Sequence, residues 1–385
     1  ALLAADWQQQ GQSAPAALSW PERYRLAVQA TEARLWRQPF NQLGLLLEPD
    51  GEGRRRLSVR AEQAEGELWW GGEGPVRAEL ARLWLNPAPG DEWLSRQADG
   101  ISPGQLPALE VDCRDCRWRE LALGRLSFRL EPLSGQNGVQ LRELNLEGPL
   151  LQASAHGQWL QHQSGNLSRL EWQGTTPSLQ RLWQGLGQDS PFSETRASLG
   201  GQLRWLDLPW RPDLASLNGS LQAETGSGVL TELSDRGAGL LSVLSMESVL
   251  RRLRLDFRDV FEQGFYFDRI SASAELRDGV LHSEDLLLNG AAGDLRGRGQ
   301  VSLVAEDLDY RLDFTPNLTG NLPVLAAFAV TPVTGLYVLA LSKVLGPVVD
   351  VFTRIRYRVS GPLAQPQVQE LGREQERVEL PGNEE

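Results

Sequence analysis

The chain alternates apolar and polar residues in short runs over most of its length. In Leu57-Ser58-Val59-Arg60-Ala61-Glu62, for example, every second residue is apolar. Successive side chains of a β-strand point to opposite faces, so this period of two predicts strands with one apolar and one polar face. Glycine-containing turns separate the runs, which is typical of an up-and-down meander of antiparallel strands.

Three stretches of the chain resemble one another. They open with FNQLGL at residues 40–45, LGRLSF at 123–128 and FDRISA at 267–272. The second continues through LNLEG at 144–148, and the third through LLLNG at 286–290. Repetition on this scale favours an extended, stacked sheet over a compact mixed fold. The sequence therefore predicts a mainly β fold with helical insertions.

Helical patterns interrupt the strands at several places. Residues 238–253 are apolar at helical spacing, and Thr176 with Pro177 forms a good start for another helix. The chain starts without Met, so we expect it to be a fragment or a processed product of a longer protein. The expected segments are a helical N-terminal lead-in (1–39), β-meander repeats with a cysteine pair (40–175), a helix-interrupted β segment (176–263), a C-terminal β segment with apolar helices at 323–345 (264–361), and a disordered tail (362–385).

The most apolar stretch of the chain, residues 322–352, contains two prolines, Pro332 and Pro347. A proline inside a helix removes a backbone hydrogen bond, so two shorter helices are expected here instead of one membrane-spanning helix. These helices either cap the open end of the sheet or enter a membrane interface. The residues expected at such an interface are Leu325, Phe328, Leu336, Tyr337, Leu339 and Lys343.

Charge and motifs exclude several classes of function. The net charge is −12 and the pI is about 5.0, which is unsuited to a nucleic-acid partner. No nucleophile elbow, phosphate-binding loop or His-Glu-x-x-His motif is present in the sequence. Asp256, Asp259 and Asp268 alternate with phenylalanines and indicate a structural segment more than a cation site. We therefore expect a protein that is not an enzyme and has no catalytic residues, no metal site and no cofactor.

Cys113 and Cys116 are the only cysteines. Zinc needs four ligands, and His156 and His162 are badly spaced to complete such a site. A thioredoxin-type pair opens a helix, whereas the flanking residues here have a strand pattern. A short-loop disulfide at a strand turn, formed in an oxidising compartment, is the favoured interpretation, with two buried free thiols as the alternative.

A basic run, Arg251-Arg252-Leu253-Arg254, follows the apolar residues 238–250. It has the chemistry to hold a lipid phosphate through charge-assisted hydrogen bonds. Pairing with the nearby Asp256, Asp259 and Glu262 is the preferred interpretation.

The second half of the chain resembles the C-terminal region of the bacterial AsmA-like family, in its YhdP branch. The resemblance is carried by LRRLRLDFRDVF at 250–261, GFYFD at 264–268, DGVLH at 278–282, LSKVLGP at 341–347 and RYRVSGP at 356–362. WRPD at 210–213 and the cysteine pair also fit. Before about residue 100 only the general strand pattern is similar.

This resemblance implies a protein of the Gram-negative envelope, anchored in the inner membrane and otherwise periplasmic, with the anchor outside this chain. The implied fold is a long, curved antiparallel β-sheet that forms a repeating groove with an apolar lining and ends in short apolar helices. The implied function is transport of phospholipids between the inner and outer membranes. A contact with the outer membrane is consistent with it, whereas protein partners are unknown.

The groove hypothesis predicts that alternating apolar residues accept acyl chains, although the pattern leaves open which strand face points inward. The candidates for the lining are Leu126, Phe128, Leu144, Leu146, Leu286 and Leu288. Two alternatives remain from the sequence: an envelope scaffold built as a closed β-sandwich array without lipid, and a thiol oxidoreductase that uses the two cysteines. Alternation alone does not separate a sandwich core from a lipid groove.

Overall fold

The computed structural model describes residues 25–35, 38–51, 53–86, 100–187, 189–193, 195–230, 265–290, 293–316 and 348–379. They form an 18-stranded sheet and a separate 3-stranded sheet. The large sheet is curved and unclosed, and strand accounts for most of the structure, which confirms the predicted fold class.

The large sheet is built from strands that follow one another closely along the chain. Its strands are β1 (Leu26–Leu35), β2 (Gln38–Pro49), β3 (Arg54–Arg60), β4 (Ala64–Gly71), β5 (Val76–Leu85), β6 (Leu109–Trp118), β7 (Leu121–Pro132), β8 (Gly138–Glu147), β9 (Gln152–His162), β10 (Gly165–Thr176), β12 (Ala197–Leu206), β13 (Asn218–Thr225), β16 (Arg269–Arg277), β17 (Val280–Gly290), β18 (Gly293–Ser302), β19 (Asp307–Pro316), β20 (Val348–Pro362) and β21 (Gln367–Glu379). The small sheet contains β11 (Phe192–Ser193), β14 (Gly228–Leu230) and β15 (Phe265–Phe267). The described helices are α1 (Leu179–Gly185) and two short 3₁₀ turns, Pro103–Gln105 and Leu214–Ser216.

Each strand of the large sheet pairs with the strands before and after it in chain order. The neighbours are antiparallel, except that β5 and β6 are parallel. Among the described residues no pairing joins β1 to β21, so the sheet ends in two edges. At about 4.8 Å per strand, the sheet extends for roughly 80 Å.

Antiparallel order places most connections at two opposite rims. Among the antiparallel neighbours, the connections β10–β12, β13–β16 and β19–β20 are the longest, and all three begin and end at the same rim, named here the long-connection rim. The opposite rim, the short-turn rim, carries tight turns such as residues 163–164 and 278–279. The parallel pair β5–β6 requires residues 86–108 to cross from one rim to the other.

The structure bears on three local predictions, of which two are wrong and one is correct. The helical lead-in is wrong for β1, because Leu26, Val28 and Ala30 alternate with polar residues and pair with β2. The disordered tail is wrong for β21, which is an edge strand, where charged side chains are tolerated because one side of the strand faces water. A helix does follow Thr176, as predicted: α1 begins after the N-cap Ser178, whose side chain accepts from the Arg181 N–H. The predicted helices at 238–253 and 323–345 lie outside the described residues.

Local bulges keep the apolar residues on one face where the alternation slips. In β8, Arg142 and Glu143 stand between Leu141 and Leu144, and both leucines face the same side because the register shifts by one residue. Glu284 and Asp285 do the same in β17. In β8 the sequence therefore follows an apolar-polar-apolar-polar-polar-apolar pattern, and in β17 the buried Ser283 takes the third position of that pattern.

Candidate functional site

The register of the sheet places all six predicted lining residues on one face. Leu126 pairs with Leu146, and Phe128 pairs with Leu144. Paired residues share a face, so the pairing can be followed from strand to strand. Successive cross-strand pairs connect Leu144, Ala155, Trp172, Gly201, Leu221 and Ala274. On β16, Ile270 lies on the same face as Ala274, and it pairs with Leu288. We name this the apolar face and the opposite one the polar face.

From β7 to β16 the apolar face is only half-buried, and we name this part the open section. Leu126, Phe128, Leu144 and Leu146 are all of intermediate exposure, and Leu199 is 40% exposed. The inward positions of β3 and β4, such as those of Leu57 and Leu68, are half-buried as well. Apolar side chains of these strands thus remain accessible along much of the sheet.

Small residues occupy many inward positions in the middle of the open section. The apolar face of β9 carries Ala153, Ala155 and Gly157, and that of β16 carries Ala272 and Ala274. Such residues leave space in front of this part of the sheet. Sequence reasoning missed them because it selected large apolar residues, although their strict alternation with polar residues was readable.

From β17 to β20 the same face is filled, and we name this part the closed section. Leu288, Phe314 and Ile355 are fully buried, and Tyr357 is 1% exposed. They form one cluster with Leu230 and Phe267 of the small sheet. Leu288, predicted as a lining residue, is therefore a core residue of this cluster, and the half-buried Leu286 packs against it.

Aromatic clusters close the short-turn rim. Trp159 and Trp210 make an edge-to-face contact at 5.3 Å between ring centroids, and pack with Val139 and Leu208. The Trp205 ring N–H donates to the Leu208 carbonyl at 2.9 Å, which satisfies this buried polar group. Several of the many tryptophans thus stabilise the turns that border the apolar face.

The polar face is covered by charged and amide side chains. Arg125 donates to Asp112 at 2.6 Å, and Arg358 donates two hydrogen bonds to Asp309 at 2.8 and 2.9 Å. The Arg358 guanidinium lowers the pKa of Asp309 below its usual value. A cavity of about 850 Å³ also lies on this face, lined by polar residues such as Gln173, Gln222 and Ser273 and by some apolar ones such as Leu199.

Two further shifted groups belong to the polar contacts of β17. Partial burial on its own would raise the pKa of Asp285, but the Ser273 hydroxyl and N–H donate to it at 2.6 and 2.7 Å and bring the pKa below its usual value. These hydrogen bonds fasten the β17 bulge to β16. Burial raises the pKa of Tyr310, which lies near Ser283 of β17.

The two cysteines form a disulfide with a Cα–Cα distance of 6.0 Å. It lies inside β6 and not at a strand turn, and it spans the bulge at Arg114 and Asp115. Both cysteines are buried, at 1% and 4% exposure, whereas a catalytic pair must be reached by its substrate. Within the described ranges, no three His, Cys, Asp or Glu side chains are grouped to hold a metal ion.

Several candidates lie outside the described residues. They are the membrane-interface residues Leu325, Phe328, Leu336, Tyr337, Leu339 and Lys343, and the basic run at 251–254. Asp268 is described, and its N–H donates to the Asn289 carbonyl in the sheet. In the part of the chain that the structure describes, no helix has the length and apolar character to span a membrane.

Comparison with known proteins gives two matches. The family model described as "YhdP protein" matches residues 2–368. The curated protein "Intermembrane phospholipid transporter YhdP" of Escherichia coli (strain K12) is 30% identical over 371 residues, which cover 94% of this chain and 29% of that protein. The chain thus spans less than a third of the length of this relative. No solved structure matches significantly.

Proposed function

Because the chain belongs to the YhdP family, we propose that it is a segment of a phospholipid carrier whose apolar face holds acyl chains in a groove. The cargo moves between the inner and outer membranes of a Gram-negative envelope, without covalent chemistry. The protein lies in the periplasm as part of a longer protein anchored in the inner membrane. A disulfide suits that compartment, which is oxidising.

The observation that carries this proposal is the apolar face from β7 to β16, where the central inward residue of every strand of the large sheet is half-buried. Soluble proteins rarely expose contiguous apolar surface beyond a few hundred Å², and larger patches mark binding sites. An acyl chain laid on this face removes apolar area from water on both sides. Each buried methylene contributes about 0.8 kcal/mol, so lipid tails bind without specific polar contacts.

The uniform lining also supports passive movement. Neighbouring inward positions such as Ala153, Ala155 and Ala223 offer similar apolar surface and no hydrogen-bonding group. A chain that shifts by one strand therefore exchanges one set of contacts for an equivalent set. The direction of net transport would be set by the membranes at the two ends, not by this segment.

The scaffold alternative requires a second layer over the apolar face. A closed sandwich covers its inward residues with a facing sheet, as the small sheet does over Leu288 in the closed section. Over β7 to β16, Phe128, Leu144 and Leu221 remain half-buried. This difference favours the groove over the sandwich for the open section.

Native mass spectrometry of the purified 385-residue chain tests the proposal. We expect co-purified phospholipid in the wild type and its loss in Leu144→Asp, because a carboxylate on the apolar face repels acyl chains. Asn145→Asp, on the polar face of the same strand, is the matched control and retains lipid. If the folded wild type repeatedly carries no phospholipid, the groove proposal is wrong and the scaffold alternative is favoured.

The membrane-interface role of Leu325, Phe328, Leu336, Tyr337, Leu339 and Lys343 stays a prediction from the sequence. Under the proposed function these residues belong to the connection that leaves the sheet after β19 and returns to β20. Both ends of that connection lie at the long-connection rim.

A further inference from the structure

We infer that the acyl-chain path of this chain ends between β16 and β17, so that cargo leaves the groove there and does not pass over β17 to β20. This inference rests on the proposed function and adds the place where the lipid path stops. Its basis is the change in side-chain volume and burial along one continuous face.

The inward side chains become buried at this boundary. On β16 the inward residues Ile270, Ala272 and Ala274 are half-buried. The residues in register with Ile270 on the next three strands are Leu288, Leu295 and Phe314, which are 0%, 2% and 0% exposed. The volume available to an acyl chain in the open section is thus occupied by the protein's own side chains in the closed section.

At Gly297 in the closed section there is no free space for a side chain. A Cβ atom at Gly297 would lie 2.8 Å from Leu286 Cδ2 and 2.9 Å from Leu312 Cδ2. These two leucines, on the strands either side of β18, meet above the glycine. The core is therefore packed across β17, β18 and β19, and a lipid tail enters only by displacing fully packed side chains.

The small sheet seals the closed section at the boundary. Phe267, at the end of β15, is 2% exposed and precedes β16 by a single residue. It contacts Phe192 of β11 edge-to-face, at 6.2 Å between ring centroids. Both rings pack with the cluster that contains Leu288. Cargo that moves along the open section towards the C-terminus thus meets an aromatic wall.

The boundary divides the six predicted lining residues. Leu126, Phe128, Leu144 and Leu146 line the path, whereas Leu286 and Leu288 form the wall at its end. Cargo that reaches β16 has to leave sideways, over a rim of the sheet. Trp205, Leu217 and Leu276 pack together at the short-turn rim of β12 to β16.

Photolabelling of the unmodified chain tests this inference. The probe is a phospholipid with a diazirine in one acyl chain, and tandem mass spectrometry maps the labelled residues. We expect labels on the apolar face of β7 to β16, and none on residues 308–314 or 355–359. Labels in both sections would overturn the inference while leaving the groove intact. A folded chain without any label would overturn the groove and the inference together.

A pair of variants tests the direction of the path. Ala272→Phe fills a central inward position on the last strand before the boundary, and Ser271→Phe places the same ring on the polar face of the same strand. We expect Ala272→Phe to abolish labelling of β16 and leave labelling of β7 and β8 unchanged, with no effect of Ser271→Phe. Equal labelling of β16 in both variants would show that cargo does not reach this boundary along the apolar face.

Discussion

Side-chain volume at single inward positions separates the two sections of the apolar face. Ala155 and Phe314 both point to this face, yet the first is half-buried and the second has no exposed surface. Both residues lie in regular antiparallel strand pairs. What the face can bind is thus decided residue by residue, while the sheet itself is continuous.

The closed section should respond more strongly than the open section to loss of side-chain volume. Phe314→Ala leaves a cavity in a packed core, and we expect it to lower the free energy of unfolding by about 3–5 kcal/mol. Leu146→Ala changes a half-buried side chain and should lower it by about 1–2 kcal/mol. Urea denaturation of the lipid-free chain checks the difference. Equal losses would contradict the division of the face.

Asp285 should make the stability depend on pH in the acid range. Its pKa is lowered in the folded protein, so its contribution is complete above the ordinary value of about 3.9 and is lost as pH falls through the lower folded pKa. At neutral pH we expect Asp285→Asn to lose about 0.5–1 kcal/mol, since solvent screens this exposed group. Urea midpoints from pH 7 to pH 2 measure the effect.

The wild type and Asp285→Asn should converge at the acid end of this series, because both side chains are then neutral. Asp309→Asn is a useful comparison, since the pKa of Asp309 is lowered by Arg358 on the same face but outside any bulge. A constant gap between wild type and Asp285→Asn at every pH would show that the carboxylate charge is irrelevant to the bulge.

At the scale of elements, bulges maintain the apolar face. A strict period of two would turn Leu144 and Leu146 to the polar side after Leu141, because one extra residue flips every later side chain. The pair Arg142-Glu143 absorbs that extra residue. Two consecutive polar residues inside an alternating run therefore indicate a bulge in the sequence. Glu284-Asp285 in the third repeat is a second example.

The disulfide fixes the equivalent bulge in β6. Cys113 and Cys116 are three residues apart, so in a regular strand they would face opposite sides, and only the bulge brings both sulfur atoms to the apolar face. Gly124 pairs with Cys116 at a positive φ of 68°, where a Cβ atom would lie 2.3 Å from the Glu147 carbonyl oxygen. The bulge is thus built by backbone and covalent constraints together.

Removal of the disulfide should therefore lower the stability of the protein at β6, because the bond has a structural role and not a redox role. For so short a loop, the double variant Cys113→Ala with Cys116→Ala should lose about 2 kcal/mol of unfolding free energy. Urea denaturation of the wild type with and without a thiol reductant provides the control, because the reduced wild type should lose a similar amount. Unchanged stability in the variant would contradict a structural role.

At the scale of the whole molecule, the sheet is a linear array in which each strand contacts mainly its neighbours along the chain. Stability in such an array is a sum of local terms and differs between regions. The closed section adds a buried aromatic and aliphatic cluster to the strand pairing. The open section has strand pairing with a half-buried face and small satellite clusters at its rims.

Amide hydrogen exchange should reveal this difference. In the lipid-free chain we expect β17 to β20 to exchange more slowly than β7 to β13, because opening the closed section exposes a packed core. Added phospholipid should slow exchange in β7 to β16 and leave β17 to β20 unchanged. Protection that rises equally in all strands would contradict the location of the lipid path.

The sequence by itself determined the fold class and the alternation of apolar and polar residues along most strands. Alternation at Leu126 and Phe128 was enough to assign strands, because the period of two is a local property of the backbone. Local resemblance of the repeats also predicted their stacking. The edge strands β1 and β21 were missed, since their polar or irregular patterns lack a fully covered face.

Only the tertiary structure decided which apolar residues are covered. Leu146 and Leu288 have the same local pattern in two similar repeats, yet one is half-buried and the other is fully buried. The difference comes from Phe267, Leu230 and Phe314, which are distant from Leu288 in sequence or on other strands. Burial depends on what packs across the face, and alternation within a strand carries no information about that partner.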